Sequence, residues 1–214
     1  MEFALARPYP AVRTGQSLSY GGSQNWFPEE SFRACGCGVI ACADTLLYLT
    51  GRDVLAREDY LRYVAGLRRF FPLIPRRGID GMRMALGLNL CLSRSGLPIR
   101  GRWSVSCEKF SRRLTEMLED DLPVIMAVGP NFPKVWGTER LPLYRKTAEG
   151  AYAVAERTKG HFLTATGVDE EWIRVSSWGQ KLYISRKDYD LYKKRYGALF
   201  SNLLLLRRSD RLIK

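Results

Sequence analysis

The stretch "RACGCGVIACADTLLYL", residues 33–49, places three of the chain's five cysteines within eight positions and runs on into an apolar segment. Val39, Cys42, Leu46 and Leu49 recur at helical spacing, Ile40, Ala43 and Leu47 form an adjoining stripe, and from Cys37 to Gly51 Asp44 is the one charge. A helix apolar around so much of its circumference is expected to be central and buried. Three readings of its thiols are open: a nucleophile, half of a metal site, or small residues at the start of a core helix. Cys37 follows Gly36 in the predicted first turn, where free backbone N–H groups and the positive end of the helix dipole favour an anion. Such a position lowers a thiol pKa to roughly 3.5–7.5 when a cation or histidine is also near. Cys42, on the apolar stripe, is expected to pack as a small hydrophobe, and Cys35 to be a loop residue with an exposed thiol. Cys91 and Cys107 have no partner near them in sequence and are assigned structural roles. A metal site at Cys35 and Cys37 needs two or more further ligands, and Cys-x-Cys without a second ligand pair is a weak signal, so no metal and no cofactor are expected.

A length of 214 residues with 46% hydrophobic content suits one sizeable core, and residues 1–214 are expected to form a single compact domain. The amino terminus "MEFALARPYPAVR" lacks the continuous apolar core of a secretory signal, and no segment reaches the roughly 18 apolar residues of a membrane span. An odd number of sparse cysteines reads as free thiols in a reducing compartment, so a cytoplasmic location is expected. The net charge of +12 raises nucleic acid as a partner. However, the basic runs Arg68-Arg69, Arg76-Arg77, Arg112-Arg113, Lys193-Lys194-Arg195 and Arg207-Arg208 are scattered, and no nucleic-acid-binding signature is present. A generally basic solvated surface is the favoured reading of the charge.

Residues 1–34 read as mostly irregular, with a turn at Gly21-Gly22 and a loop at "QNWFPEE". After the helix beginning at Cys37, helices are predicted at about 56–70, 81–94 and 106–120, with Asp80 and Ser104 or Ser106 as caps. "LPVIMAV" (122–128) reads as a buried strand, and 129–150, with Trp136 and Tyr144, as a long functional loop. "HFLTATGV" and "EWIRVSSW" read as two strands around Asp169-Glu170-Glu171. "KLYIS", the helix "RKDYDLYKKRY" and a closing strand in "ALFSNLLLL" follow. Helices first and strands second give an α+β class, with a helical lobe at about 36–120 and a sheet lobe at about 121–208.

The chain has one histidine, His161, so any chemistry that needs an imidazole must use it. In an antiparallel hairpin reversing at 169–171, facing positions sum to about 338 to 340, which puts His161 opposite Ser177 or Trp178. Either Ser176 or Ser177 then lies closer to the ring.

The ordered set "CGVIACADTLLYLTG", "LEDDLPVIMAV" and "GHFLTATGVDEEWIRVSSWG" resembles the bacterial papain-like cysteine peptidases, especially the branch that includes bacteriocin-leader-cleaving domains. The resemblance runs from about Gln24 to Ser185 and implies a papain-like fold, with the cysteine on a buried central helix and the histidine on an antiparallel sheet. It further implies Cys37 as nucleophile, with Gly38 beside it, and His161 as general base and then acid. Trp178 is implied to shield the histidine, with Ser177 next to it. The oxyanion would be held by the Cys37 N–H and a nearby amide, Gln24, with Asn25 as the other candidate. Where the family has Asn or Asp to orient the imidazole, this chain has Ser176, and where it has Gln six residues before the nucleophile, this chain has Ser31. The implied activity is acyl-enzyme chemistry on a peptide, amide or related acyl substrate. The alternatives are a papain-fold module that binds a peptide or partner without turnover, and a nucleic-acid-associated protein.

Overall fold

A computed structural model describes residues 1–74, 77–104, 109–129, 140–196 and 202–208, the side chains of 195 and 196 excepted. The described residues form a mixed α+β architecture of six α-helices around a large antiparallel sheet. The apolar run after Cys37 forms α2 (Cys37–Leu49), in which every residue from Gly38 to Tyr48 is buried. Gly36 ends the short α1 (Glu30–Cys35) and precedes α2, so Cys35 closes a helix instead of lying in a loop. At its other end α2 stops in a Schellman arrangement: Gly51, at φ 71°, donates to the Tyr48 carbonyl and Arg52 to that of Leu47.

The amino-terminal segment expected to be irregular contains strands β1 (Phe3–Ala4), β2 (Ala11–Thr14) and β3 (Ser17–Leu18). β2 pairs with β3 and, in parallel, with β4 (Val54–Ala56) in a small three-stranded sheet. Helices α3 (Arg57–Leu67) and α4 (Gly81–Arg94) follow, α4 capped by Asp80, whose carboxylate accepts the Arg83 N–H. Helix α5 (Phe110–Glu119) has Lys109 at its N-cap position, with no side-chain cap; Ser104 lies in a strand and Ser106 lies outside the described residues, as does Cys107.

That strand, β5 (Ile99–Ser104), is an unexpected member of the large sheet within a first half that is otherwise mainly helical. Both hydrogen-bonding ends of the Asn89 amide grip Gly101, at 2.7 and 2.8 Å, and tie β5 to α4. The remaining strands are β6 (Val124–Val128), β7 (Leu141–Lys146), β8 (Tyr152–Thr158), β9 (His161–Val168), β10 (Trp172–Ser177), β11 (Gln180–Ser185) and β12 (Leu203–Arg208). Helix α6 (Arg186–Tyr196) lies between the last two. The sheet order is β5-β12-β6-β9-β10-β11-β7-β8, with β1 also pairing with β9. Of the expected functional loop at 129–150, residues 141–146 form β7 and 147–150 the turn into β8; Tyr144 sits in β7, and residues 130–139, with Trp136, lie outside the described residues.

β9 is buried at every position, as in a strand covered on both faces, and α2 packs directly against it. This contact brings the start of the cysteine helix to the start of the histidine strand. The described basic doublets are dispersed over the 3₁₀ turn that follows α3 (Arg68–Phe70), α5, α6 and β12. Several of their cations rest on aromatic rings, Arg68 over Phe32, Arg69 over Phe70 and Lys193 over Phe110. Among the described residues, no helix is long and apolar enough to cross a membrane.

Candidate functional site

One recess is lined by Cys37 and Asp44 from α2, His161 from β9, Gln24, and the Ser176–Trp178 end of β10. Cys37 is half-buried, whereas His161 is 8% exposed and within the core. Gly38 lets the helix start approach its wall, because a Cβ there would lie 2.6 Å from Ile79 Cγ2 and 3.2 Å from the Phe162 ring.

The hydroxyl on the imidazole is that of Ser177, with Oγ 2.7 Å from His161 Nε2. Ser176 instead donates to the Tyr20 carbonyl at 2.8 Å. The expectation that Ser176 orients the ring is corrected by the strand register. Residues 173 and 174 pair with 168 and 167, but an irregularity before Val175 shifts the pairing so that Ser176 faces Thr164. Successive strand residues point to opposite faces, so Ser176 and Ser177 are turned towards different neighbours.

Ser177 pairs with Gln180 across a two-residue turn in which both Trp178 (φ 51°) and Gly179 (φ 74°) have positive φ, the backbone of a type I′ hairpin turn. Positive φ is uncommon for a bulky residue. Here it lays the Trp178 ring parallel to His161, with centroids 4.4 Å apart and planes 16° apart. With Nε2 engaged by Ser177, Nδ1 is the ring nitrogen left for a thiol or substrate. Among the described residues Ser177 is the hydrogen-bond partner of the ring and Cys37 is not.

Electrostatics reverses one expectation. Burial pushes the Cys37 thiol above its ordinary pKa, and the backbone N–H groups of Phe162 and Gly38 offset this only in part. Burial also pushes His161 down to about 3. Desolvation of the thiol thus outweighs the backbone N–H groups at the helix start, and the recess holds a neutral thiol and a neutral imidazole at rest.

Gln24 begins a 3₁₀ turn, Gln24–Trp26, capped by Ser23, whose side chain accepts the Asn25 N–H. It is buried at the recess, and its Nε2 donates to the Arg33 carbonyl at 2.5 Å. Asn25 is exposed and does not line the recess, and Ser31 is also exposed, so Gln24 is the candidate amide that the fold brings to the site.

Asp44 is the site residue to which sequence reasoning gave no role; its signal was a lone charge in an apolar helix. It is 2% exposed, with Oδ2 accepting the Gly22 N–H at 2.8 Å and Oδ1 accepting the Tyr60 hydroxyl at 2.7 Å. Burial pushes its pKa up to about 7, against the lowering effect of those two donors. Asp44 and His161 therefore give stability opposite pH dependences. Between about pH 4 and 7 the folded chain keeps a proton on Asp44 that the unfolded chain has lost, so stability falls as pH rises. Between about pH 3 and 6.5 the unfolded chain holds a proton on His161 that the folded chain lacks, so stability rises with pH. Asp44→Asn removes the falling contribution. Its unfolding free energy is expected to gain a more positive pH slope than the parent's, by up to about 1.4 kcal/mol per pH unit, in urea titrations from pH 4.5 to 6.5. Equal slopes would contradict the assignment of a high Asp44 pKa.

The described cysteines Cys35, Cys37, Cys42 and Cys91 are free thiols, and Cys42 is wholly buried in the core. Among the described residues, no three His, Cys, Asp or Glu side chains gather as metal ligands.

No protein-family model matches the sequence. No curated protein matches it either. Among solved structures, the "putative C39-like peptidase from Bacillus anthracis" aligns over 98% of this chain and 99% of its own, with 12% identity and a TM-score of 0.55. At that identity the likeness shows a shared fold, consistent with a papain-like architecture, and does not carry residue roles.

Proposed function

We propose that the chain is a papain-fold cysteine peptidase, or a related thiol acyl hydrolase or transferase, acting through a covalent thioester at Cys37. The reading rests on one observation: Cys37 and His161 line a single recess in which Ser177 holds Nε2 and Trp178 covers the ring, leaving Nδ1 for proton transfer. The whole-chain fold likeness to a structure described as a peptidase supports the same class.

In this mechanism His161 Nδ1 takes the Cys37 thiol proton as Sγ attacks the acyl carbon, and the carbonyl electron pair moves onto oxygen. Because the resting pair is neutral, His161 acts as a general base during attack instead of storing an imidazolium beforehand. The Cys37 N–H and the Gln24 amide are the proposed donors to the oxyanion. As the tetrahedral intermediate collapses, the bond to the leaving amine breaks and His161 returns the proton to it. Water, or a second nucleophile in a transferase, then displaces Cys37 from the thioester. No cofactor is required. A reducing, cytoplasmic setting belongs to the same proposal, supported by the free described thiols.

A second reading, a papain-fold module that binds a peptide or partner without turnover, is favoured by the raised thiol pKa and by the lack of a Cys37–His161 hydrogen bond. Activated esters and peptide thioesters separate the two. The enzyme is expected to release about one equivalent of leaving group per protein in a burst that prior iodoacetamide treatment abolishes. No burst across such a panel, together with ligand binding that survives alkylation, favours the binding module.

A further inference from the structure

We infer that Asp44 is a positioning residue: from the wall of α2 it holds the Tyr20–Gln24 turn, and with it the Gln24 amide, in register with Cys37. The inference rests on the acyl-transfer reading above for its catalytic consequence.

Asp44 lies seven positions after Cys37, so the two share a helix face at a separation of about 10.5 Å along the axis. A continuous buried helix thus acts as a rigid spacer between the thiol and the carboxyl. The turn is clamped from two sides: the Gly22 N–H donates to Asp44, and the Tyr20 carbonyl accepts from Ser176 on β10. Gly21, at φ 74°, is wedged between the two clamps, since a Cβ there would lie 2.3 Å from Ser176 Oγ and 2.5 Å from Asp44 Oδ2. The Ser23 cap sets the next residues, so fixing Gly22 fixes the direction in which Gln24 leaves the turn. Burying a carboxyl is costly even when it is hydrogen-bonded, and an apolar residue would pack this stretch of helix at lower cost. A requirement for the placement of the turn accounts for the charge.

The groups facing Asp44 are Tyr60 and Tyr63 from α3, Tyr9 from the amino-terminal segment, Ser176 from β10 and His161 across the recess. Burial pushes the tyrosines up and the histidine down, which leaves Asp44 as the member of this group that titrates near neutrality.

The test compares wild type, Asp44→Ala, Asp44→Asn, Gln24→Ala and the double Gln24→Ala/Asp44→Ala variant. Single-turnover acylation by p-nitrophenyl acetate, alkylation of Cys37 by iodoacetamide, and amide hydrogen exchange are measured on each. Asp44→Ala is expected to slow acylation about tenfold while leaving alkylation within about twofold, because alkylation needs no oxyanion donor. Exchange at residues 21–24 should quicken while the interior of α2 keeps its protection. Asp44→Asn retains an oxygen for the Gly22 N–H and should recover most of the rate. In the Gln24→Ala background, Asp44→Ala should add less than about twofold, because the two act through one group. Multiplying losses, or unchanged exchange at 21–24, would overturn the inference. A wild type that is never acylated refutes the proposed function instead, and the exchange result still decides whether Asp44 holds the turn. A readout that needs no variant is the Gly22 amide shift in wild type, which should move as the Asp44 carboxyl that accepts its hydrogen bond gains or loses a proton. A flat amide shift overturns the inference even if Asp44→Ala does not fold.

Discussion

Replacing His161 with alanine is expected to slow thioester formation at Cys37 by about 10²–10⁴-fold, and replacing Cys37 with alanine to abolish it. The size of the first effect follows from the resting protonation state. With the thiol pushed up and the imidazole pushed down, little thiolate is present at neutral pH, so attack depends on proton transfer during the step itself. Removing the base therefore costs more than it would in a site that already holds an ion pair. The acylation rate of His161→Ala should also acquire a steep rise with pH as hydroxide replaces the imidazole. Stopped-flow release of nitrophenolate measures both. A loss of less than about fivefold, with no change in pH profile, would mean that His161 is a packing residue beneath Trp178.

Gly22→Ala carries the largest expected effect on stability. A Cβ at this position would lie 1.8 Å from the Tyr60 hydroxyl oxygen and 2.1 Å from its Cζ. Tyr60 cannot yield easily, because it is fully buried, meets Trp26 edge-on at 5.9 Å and donates its hydroxyl to Asp44. The added methyl must displace either the turn or the ring, and either movement breaks a hydrogen bond to a buried carboxyl. A loss of about 4 kcal/mol in unfolding free energy is expected, combining overpacking with an unsatisfied buried polar group. Gly66→Ala is the control: it lies within α3, a Cβ there meets nothing within 4 Å, and it should be neutral or stabilising by up to about 1 kcal/mol. Urea denaturation of the two variants gives the comparison. Similar stabilities would show that the Tyr60–Asp44–Gly22 packing is not tight.

These effects trace to features of uneven visibility in the sequence. α2, α4, β9 and β10 could be read because their hydrophobic periods are local and unbroken, and the apolar run after Cys37 alone places the helix. β5, β7 and β8 could not be read in this way. "IRGRWS", "LPLYRK" and "YAVAERT" mix charged and apolar residues, and each becomes a strand by pairing with a partner. For β5 that partner is β12, about a hundred residues later in the chain. Cys37 and His161 were named together through the family resemblance and not through the residues alone, since three neighbouring thiols were open; the fold puts both in the lining of one recess. Which serine meets the ring was not legible, because Thr166 is skipped in the pairing of β9 with β10, and that one-residue shift decides which β10 residue comes to the His161 face. The direction of the thiol's pKa was misjudged for a related reason. Position at a helix start is a local property, whereas the desolvation that outweighs it comes from β9 packing against α2. Asp44 stood out as a charge in an apolar helix, but its meaning depends on Gly22 and Tyr60, which only the folded chain brings to it.

The central claim is that Cys37 carries an acyl group during turnover. Intact-protein mass spectrometry after brief exposure to a peptide thioester, quenched in acid and followed by peptide mapping, tests it directly. One acyl mass should appear per chain and map to the peptide containing Cys37 in the wild type. It should be absent from Cys37→Ala and strongly reduced in His161→Ala. An adduct spread over Cys35 and surface lysines, with equal labelling of wild type and His161→Ala, would contradict the account.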